Sequence, residues 1–262
     1  MNRSGLLRRF EEAAARAGCL FSLLVMWEVI ARSGLVSPLL MPRLAKIGLA
    51  FWAATANGDL AYHGAFTLER AMTGFIAAVA VGVPLGATMA RSRLFEAVFE
   101  PLFSFSYPVP KIALYPIFIF VFGLGSGSKV ALVFLECLYP ITINSYLGIR
   151  RVPTSLVRAA ENMGTHGAGL FWKVAVPAAA PDIFAGVRIA LPLAFIVVIL
   201  AEMIGESVGL GYYISYESAS FDFATSLAGV VAVALMGFTV DRLLVLLRRH
   251  LIFWDRFDRA DR

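Results

Sequence analysis

Six apolar stretches, each long enough to cross a lipid bilayer, constrain the fold of this 262-residue chain more than any other feature of its sequence. A helix needs about 20 mainly apolar residues to cross about 30 Å of hydrocarbon. We therefore predict an all-α integral membrane protein with about six transmembrane helices. The predicted spans are residues 18–36, 66–89, 97–122, 130–147, 184–204 and 226–245.

The composition agrees with a location in the bilayer. Apolar residues make up 59% of the chain, charged residues make up only 16%, and the mean hydropathy is +0.77. These values nearly exclude a water-soluble globular domain, and they exclude disorder because so apolar a chain buries surface. The two cysteines, Cys19 and Cys137, lie in apolar runs without the spacing of a disulfide scaffold or a zinc site. We expect no metal and no cofactor.

The positively charged residues concentrate on one side of the predicted spans. Fifteen of the 23 Lys and Arg residues fall in segments on the same side as the N-terminus, and three fall in the opposite segments. Because such residues stay cytoplasmic, both termini are predicted to be cytoplasmic. The basic residues then face the lipid headgroups of the inner surface, so the net charge of +5 requires no nucleic-acid partner.

One membrane domain accounts for most of the chain, because no repeat or linker divides it. We assign residues 18–254 to a transmembrane domain, residues 1–17 to a cytoplasmic amphipathic arm, and residues 255–262 to a cytoplasmic tail. An interfacial helix is predicted on the outer side at residues 42–57, with Gly58 completing its stop signal.

The longest inner connection, residues 148–183, is too long for a simple turn between two helices. Pro153 begins a predicted helix and Gly164 is placed to end it, and a second short helix is predicted to end at Pro177. This small amphipathic unit suits a groove on another protein. The alternative is that its residues only pack against the inner ends of the spans.

The order of small and apolar residues in this connection resembles the cytoplasmic-loop signature of permease subunits of bacterial ABC importers. The matching positions are Ala159-Ala160, then Gly164 after three residues, Val174 after nine, and Val176-Pro177 after one more. Arg158 stands where that signature has an acid. Glu161, one helical turn further on, is placed either to pair with Arg158 or to supply the missing negative charge.

Further segments look like the nitrate/sulfonate/taurine-type branch of these permeases, so the resemblance covers about residues 60–254. They are residues 107–116, 122–125, 201–202 and 209–211. The resemblance implies a permease subunit of the bacterial inner membrane, working as a homodimer that carries a small organic anion. It also implies two partners, a cytoplasmic ABC ATPase subunit and an extracytoplasmic solute-binding protein.

In that family the loop forms a coupling helix that sits in a groove of the ATPase. The resemblance implies the same role for residues 154–177, within a coupling loop at 150–182 between the fourth and fifth spans. The residues implied to couple are Arg158, Ala159, Ala160, Glu161, Gly164, Val174, Val176 and Pro177.

Three prolines interrupt the third predicted span. Pro108, Pro110 and Pro116 each remove a backbone donor, so this span is predicted to be kinked or broken beside a translocation pathway. Lys111 follows the break. It either favours an anionic substrate in the pathway, or it snorkels to the inner headgroups or pairs structurally with an acid. Glu202, towards the outer end of the fifth span, is either a gate or pathway acid or an interfacial residue bonded to nearby backbone.

Two further patterns concern helix packing. A stripe of small residues, Ala78, Gly82 and Gly86, predicts a close approach of two helices, either within the chain or between subunits. The other charged residues of the spans are predicted to form structural pairs; they are Glu136, Arg188, Asp241 and Arg242.

Enzyme motifs are absent from the sequence or lie in the wrong context. The G-x-S-x-G pattern at residues 205–209 follows a predicted transmembrane helix instead of a strand, and His250 lies across the membrane from it. Without a phosphate loop or clustered metal ligands, we expect neither enzyme activity nor ATP binding by this chain alone. The competing functions are a secondary transporter driven by an ion gradient, which should show inverted repeats and coupling carboxylates, and an intramembrane enzyme.

Overall fold

The computed structural model describes residues 18–254, apart from Leu20 and Tyr107. These residues form helices, turns and loops, and no strand occurs among them, which confirms the all-α prediction. The arm predicted at 1–17 and the tail predicted at 255–262 lie outside the described residues. The helices are α1 (21–33), α2 (Leu44–Ala56), α3 (Asp59–Arg91), α4 (Arg93–Ser106), α5 (Tyr115–Phe122), α6 (Ser126–Arg150), α7 (Thr154–Asn162), α8 (Ala168–Met203), α9 (Leu210–Ala219) and α10 (Phe223–Leu251).

Four helices, α3, α6, α8 and α10, are long and apolar enough to cross a membrane. They confirm the second, fourth, fifth and sixth predicted spans, and each helix is longer than predicted. The pair α4 and α5 makes a fifth span if the two are counted together across their 92° bend. Within the described residues, α1 is shorter than a span, so the first predicted span at 18–36 stays a prediction.

The break in the third predicted span is confirmed. After α4 ends at Ser106, Pro110 precedes a 3₁₀ turn, Lys111–Leu114, and α5 then begins at Tyr115 with Pro116 in its first turn. A proline in the first helical turn costs little, because the backbone N–H that it lacks would be unbonded there. The prolines therefore begin and end helices instead of distorting one.

The chain forms two compact units. Among the described residues, the first unit contains those up to Ala61 together with Tyr213–Ala232, and the second contains Tyr62–Tyr212 and residues 233–254. In the first unit, the Glu28 carboxylate accepts a hydrogen bond from the backbone N–H of Leu44 at 3.0 Å, which satisfies a donor at the start of α2.

Caps in the first unit explain where α2 and α10 end and begin. Gly58, with a φ of +85°, follows the end of α2, as the sequence predicts. Asp222 caps α10, since it accepts hydrogen bonds from the Thr225 backbone N–H (3.2 Å) and hydroxyl (2.8 Å). The hydrogen bond from the Thr225 hydroxyl holds the pKa of the Asp222 carboxyl below its usual value.

In the second unit, small residues let α3 approach α6 closely. A Cβ atom at Gly74 would lie 2.7 Å from the Val130 carbonyl oxygen, and one at Gly82 would lie 2.9 Å from the Ile141 side chain. Ala78 is fully buried between them on the same face. The predicted close contact of the small-residue stripe is therefore confirmed, and it forms within the chain.

Helices α6 and α8 also pack tightly, and they enclose the core of the second unit. A Cβ atom at Gly186 would lie 2.8 Å from the Pro140 carbonyl oxygen, and one at Gly148 would lie 2.7 Å from the Asp182 Cβ atom. The core between α3, α6 and α8 contains Ala71, Phe75, Leu132, Val133, Ile141, Ala190, Leu191 and Val198. This packing fixes the positions of the loops at both ends of α6 and α8.

The prediction of a second short helix that ends at Pro177 is wrong. In the structure α8 begins at Ala168 and continues through Pro177 to Met203. A π-helical turn at Phe171–Ala175 precedes the proline. Such a wide turn disrupts the regular hydrogen-bond ladder, so a proline that directly follows it removes little that the helix would otherwise gain. The start of α8 thus belongs both to the inner connection and to the fifth span.

Candidate coupling surface and translocation pocket

Helix α7 is a short helix in the connection at residues 148–183, which is predicted to lie on the inner side. It begins after Pro153, as the sequence predicts. At its end, the Gly164 N–H donates to the Glu161 carbonyl and the Thr165 N–H donates to the Ala160 carbonyl, both at 2.9 Å. Gly164 has a φ of +83°, so it occupies the left-handed position of a Schellman motif. The predicted stop at Gly164 is confirmed.

Large apolar side chains project from this connection without covering. Met163 is 80% exposed, Trp172 is 67% exposed and Leu156 is 44% exposed. Ala160 is the buried residue of α7. Packing against the start of α8 therefore accounts for one face of α7 and leaves an apolar surface uncovered, as expected for a protein-interaction surface.

A groove of about 370 Å³ lies between α7 and the start of α8, and we call it the coupling groove. It brings together four of the residues implied to couple, two from α7 and two from the start of α8. Arg158, Glu161, Gly164 and Val176 are not among its lining residues. The lining residues are Leu156, Ala159, Ala160, Met163, Lys173, Val174, Pro177, Ala178 and Trp254.

Arg158 and Glu161 form no ion pair with each other in the described part of the chain, and both are exposed. An exposed pair on a helix gains little, because water screens the charges and long side chains lose freedom on pairing. The option that Glu161 neutralises Arg158 is therefore not realised in this structure. Glu161 is exposed on α7, where its charge is accessible to a partner.

A second pocket, of about 250 Å³, contains Lys111, and we call it the Lys111 pocket. The Lys111 Nζ atom lies 5.5 Å from the centroid of the Tyr139 ring, within cation–π distance. Pro108 and Pro110 are exposed and do not line this pocket. Its lining residues are Lys111, Glu136, Tyr139, Pro140, Ile143, Asn144, Ile189 and Leu193.

The predicted structural pairs have different outcomes. Arg188 pairs with Asp241 at 3.2 Å, which confirms that pair. The Arg242 guanidinium lies 4.7 Å from the centroid of the Phe238 ring. Glu136 forms no hydrogen bond or ion pair with any residue that the structure describes, so its predicted pair stays a prediction.

Glu202 lies away from the Lys111 pocket, in a buried set of four charges that we call the charge cluster: Arg70, Lys129, Glu202 and Glu206. The Arg70 guanidinium donates to Glu202 at 2.8 Å and to Glu206 at 3.2 Å, and Lys129 pairs with Glu206. The side chains of Glu202 and Lys129 are fully buried. Two cations and two carboxylates balance, so their burial leaves no net charge.

Two further donors, one from the backbone and one from a side chain, bind the Glu202 carboxylate. The Gly211 N–H donates to Glu202 Oε2 at 3.1 Å, and the Thr67 hydroxyl donates to the same oxygen at 2.8 Å. A Cβ atom at Gly209 would overlap the Glu202 carboxylate, so glycine is required for this approach. The segment 209–211 resembles a family motif in sequence, and the structure gives it a physical role: it covers the Glu202 carboxylate.

Sequence reasoning missed three members of the charge cluster. Lys129 is only one of the three basic residues counted in the segments opposite the N-terminus, and Arg70 and Glu206 are not singled out. One signal was available, because Arg70 interrupts an apolar stretch and an intramembrane arginine requires a partner. The sequence could not identify that partner, because Glu202 and Glu206 lie more than 130 residues after Arg70.

Comparison with known families gives a match over most of the second unit's length. The profile of the family described as "Binding-protein-dependent transport system inner membrane component" matches residues 82–253. This region contains α7, the Lys111 pocket and every lining residue of the coupling groove except Trp254.

Individual relatives match over a longer part of the chain. The taurine transport system permease protein of Escherichia coli (strain K12) is 32% identical over 244 residues, which cover 90% of this chain and 88% of that protein. A protein named as an aliphatic sulfonates transport permease in Bacillus subtilis (strain 168) is 31% identical, with coverage of 88% and 84%. The riboflavin transport system permease protein of Chloroflexus aurantiacus is 33% identical, with coverage of 95% and 93%.

Proposed function

The chain belongs to the family of inner membrane components of binding-protein-dependent transport systems, and we propose that two copies of it line the pathway of an ABC importer for a small organic anion. Membership makes it a multi-pass inner membrane permease subunit. It also implies a separate ATPase that supplies energy and a solute-binding protein that delivers substrate. The observation that carries the proposal is the uncovered apolar surface around the coupling groove.

The coupling step uses α7 and the start of α8. Met163, Leu156 and Trp172 provide apolar contacts for a groove on the ATPase, and the Schellman motif at Gly164 fixes the direction of the chain between the two helices. Nucleotide binding closes the two ATPase subunits and displaces the two coupling loops. Because α8 is continuous from Ala168 to Met203, a displacement at its inner end reaches the membrane-spanning part of the same helix.

This continuity suits a rocking motion between inward-open and outward-open states. A π-helical turn at Phe171–Ala175 contributes Lys173 and Val174 to the coupling groove and precedes the span. Such turns occur often at functional sites, where they allow local adjustment within a helix. Both termini are cytoplasmic in this proposal, and residues 1–17 and 255–262 form the inner arm and tail.

The substrate class follows from the Lys111 pocket together with the names of the relatives. Lys111 supplies a positive charge within the second unit, beside the break in the third span. The relatives named for taurine and for aliphatic sulfonates carry substrates with an acidic sulfur group. An acidic group of the sulfonate type therefore has a cationic partner in this pocket at Lys111.

The alternative is a secondary transporter driven by an ion gradient. The test is reconstitution of the chain into liposomes with its ATPase and solute-binding protein, followed by uptake of labelled sulfonate. We expect uptake that requires ATP and persists when proton and sodium gradients are collapsed. An ATPase that cannot hydrolyse ATP is the control. Uptake driven by an imposed gradient without the ATPase would contradict the proposal and support the alternative.

A further inference from the structure

The Lys111 pocket is lined by charged residues of both signs. Lys111 and Glu136 both line it, yet they form no ion pair. Helix α6 contributes Glu136, Tyr139 and Asn144 to the pocket. They lie on one face of the helix, because Tyr139 is three residues and Asn144 eight residues after Glu136. Ile189 and Leu193, four residues apart on α8, form an apolar wall. The pocket therefore offers a cationic group, an anionic group and an apolar wall within about 250 Å³.

Glu136 is the unusual member of this set. It is half-buried and lies about 15 Å from the start of α6, given a rise of 1.5 Å per residue. None of the residues in the described part of the chain gives it a hydrogen bond or an ion pair. A carboxylate within a membrane span is costly without a partner, and such residues mark substrate or ion pathways. Glu136 is thus placed to receive a group from outside the chain.

Other acceptors lie beside Glu136. The Asn144 amide nitrogen donates to the Pro140 carbonyl at 2.8 Å, which leaves the amide oxygen as the other polar atom of that side chain. The electron-rich face of Tyr139 is also attractive to cations, as its contact with Lys111 shows. Carboxylate, amide oxygen and aromatic face together suit a protonated amine.

We propose that Glu136 is a specificity-determining residue, which binds the ammonium group of a small zwitterion whose acidic group lies at Lys111. This inference rests on the proposed transport function and narrows it, because an anion without an amine leaves the Glu136 carboxylate without a partner. The pocket then discriminates between two sulfonates of similar size by the presence of the amine alone.

The test compares binding of two labelled probes, 2-aminoethanesulfonate and ethanesulfonate, to the permease–ATPase complex in nanodiscs. Wild-type complex is expected to bind the amino compound at least about tenfold more tightly, the scale of one charge-assisted hydrogen bond. Glu136→Gln should weaken binding of the amino compound about tenfold and leave ethanesulfonate unchanged. Lys111→Met should weaken both, and Glu100→Gln, which alters an exposed carboxylate on α4, should change neither.

Equal wild-type affinity for the two probes, no saturable binding of either, or an undiminished preference in Glu136→Gln would overturn the inference. Size-exclusion profiles and nucleotide hydrolysis of each variant complex show that it is assembled. A second variant, Glu136→Asp, keeps the charge and should retain part of the preference. ATP-driven uptake by the wild-type importer is measured separately, so a failed inference is distinguishable from a failed transport function.

Discussion

The charge cluster and the Lys111 pocket both contain a lysine and a glutamate inside the second unit, but their carboxylates differ in whether they are paired. In the charge cluster every carboxylate has a cation within hydrogen-bond distance and glycine backbone covers Glu202. In the Lys111 pocket Glu136 has no partner among the described residues. Paired and buried charges hold segments of the chain together, whereas an unpaired charge at a pocket is available to a ligand.

The difference follows from the surrounding backbone. The loop that follows α8 folds back against the C-terminal end of α8, near Glu202. Gly209 and Gly211 therefore lie against the Glu202 carboxylate, exclude water from it and hold it in place. Beside Glu136, the break between α4 and α5 leaves a cavity, so no backbone segment covers the Glu136 carboxylate. Three predictions use substitutions at matched positions to test this difference.

The largest effect is expected for Glu202→Ala. It leaves the Arg70 guanidinium buried without its main carboxylate, and loss of one partner from a buried pair costs about 3–5 kcal/mol. Glu136→Ala removes a carboxylate that stabilises nothing in the described chain, so its cost should stay within about 0.5 kcal/mol. Denaturant titration of the two purified variants in detergent micelles measures both values. Equal losses would contradict the division between the two regions.

A smaller decrease in the free energy of unfolding is expected for Gly211→Ala. The added methyl group would meet the Ile199 backbone and the Glu202 side chain, and overpacking of this kind costs about 1–3 kcal/mol. Gly237→Ala is the matched control, since no heavy atom lies within 4 Å of the added carbon. The control should be neutral or slightly stabilising in the same titration. If Gly211→Ala were equally neutral, Gly211 would not be required to cover Glu202.

The smallest effect is expected for Asp241→Ala. Its pair with Arg188 is half-exposed, with side-chain exposures of 32% and 50%, so the two charges are far less enclosed by protein than Arg70 and Glu202, at 3% and 0%. Pairs of this type contribute about 0–1 kcal/mol. A melting temperature within a few degrees of wild type is expected. A loss as large as that of Glu202→Ala would show that burial does not decide the strength of these pairs.

The sequence predicted those features that depend on local signals. Pro153 and Gly164 mark both ends of α7, and the clustered prolines mark the break in the third span. The start of α8 was missed, because Pro177 looks like a helix end and the preceding π-helical turn leaves no simple sequence pattern. The charge cluster was missed for a different reason. Pairing of Arg70 with Glu202 and Glu206 depends on how α3 packs beside α8, which periodicity does not reveal.

The candidate coupling residues show the same limit. Spacing identified Ala159, Ala160, Val174 and Pro177 by resemblance, and the structure brings these four together in the coupling groove. Trp254 also lines that groove, although it lies far from the loop in sequence and has no signature of its own. Side chains contributed by a distant segment become visible only when the helices are packed.

Photo-crosslinking from positions 163 and 172 tests whether α7 and the start of α8 contact the ATPase. A photoreactive residue at position 163, and separately at Trp172, is introduced into the reconstituted importer, with exposed Ile76 on α3 as the control position. We expect covalent adducts with the ATPase from positions 163 and 172, with yields that change when ATP is added, and none from position 76. A fully transporting complex that gives no adduct from positions 163 and 172 would contradict the coupling role of α7 and the start of α8.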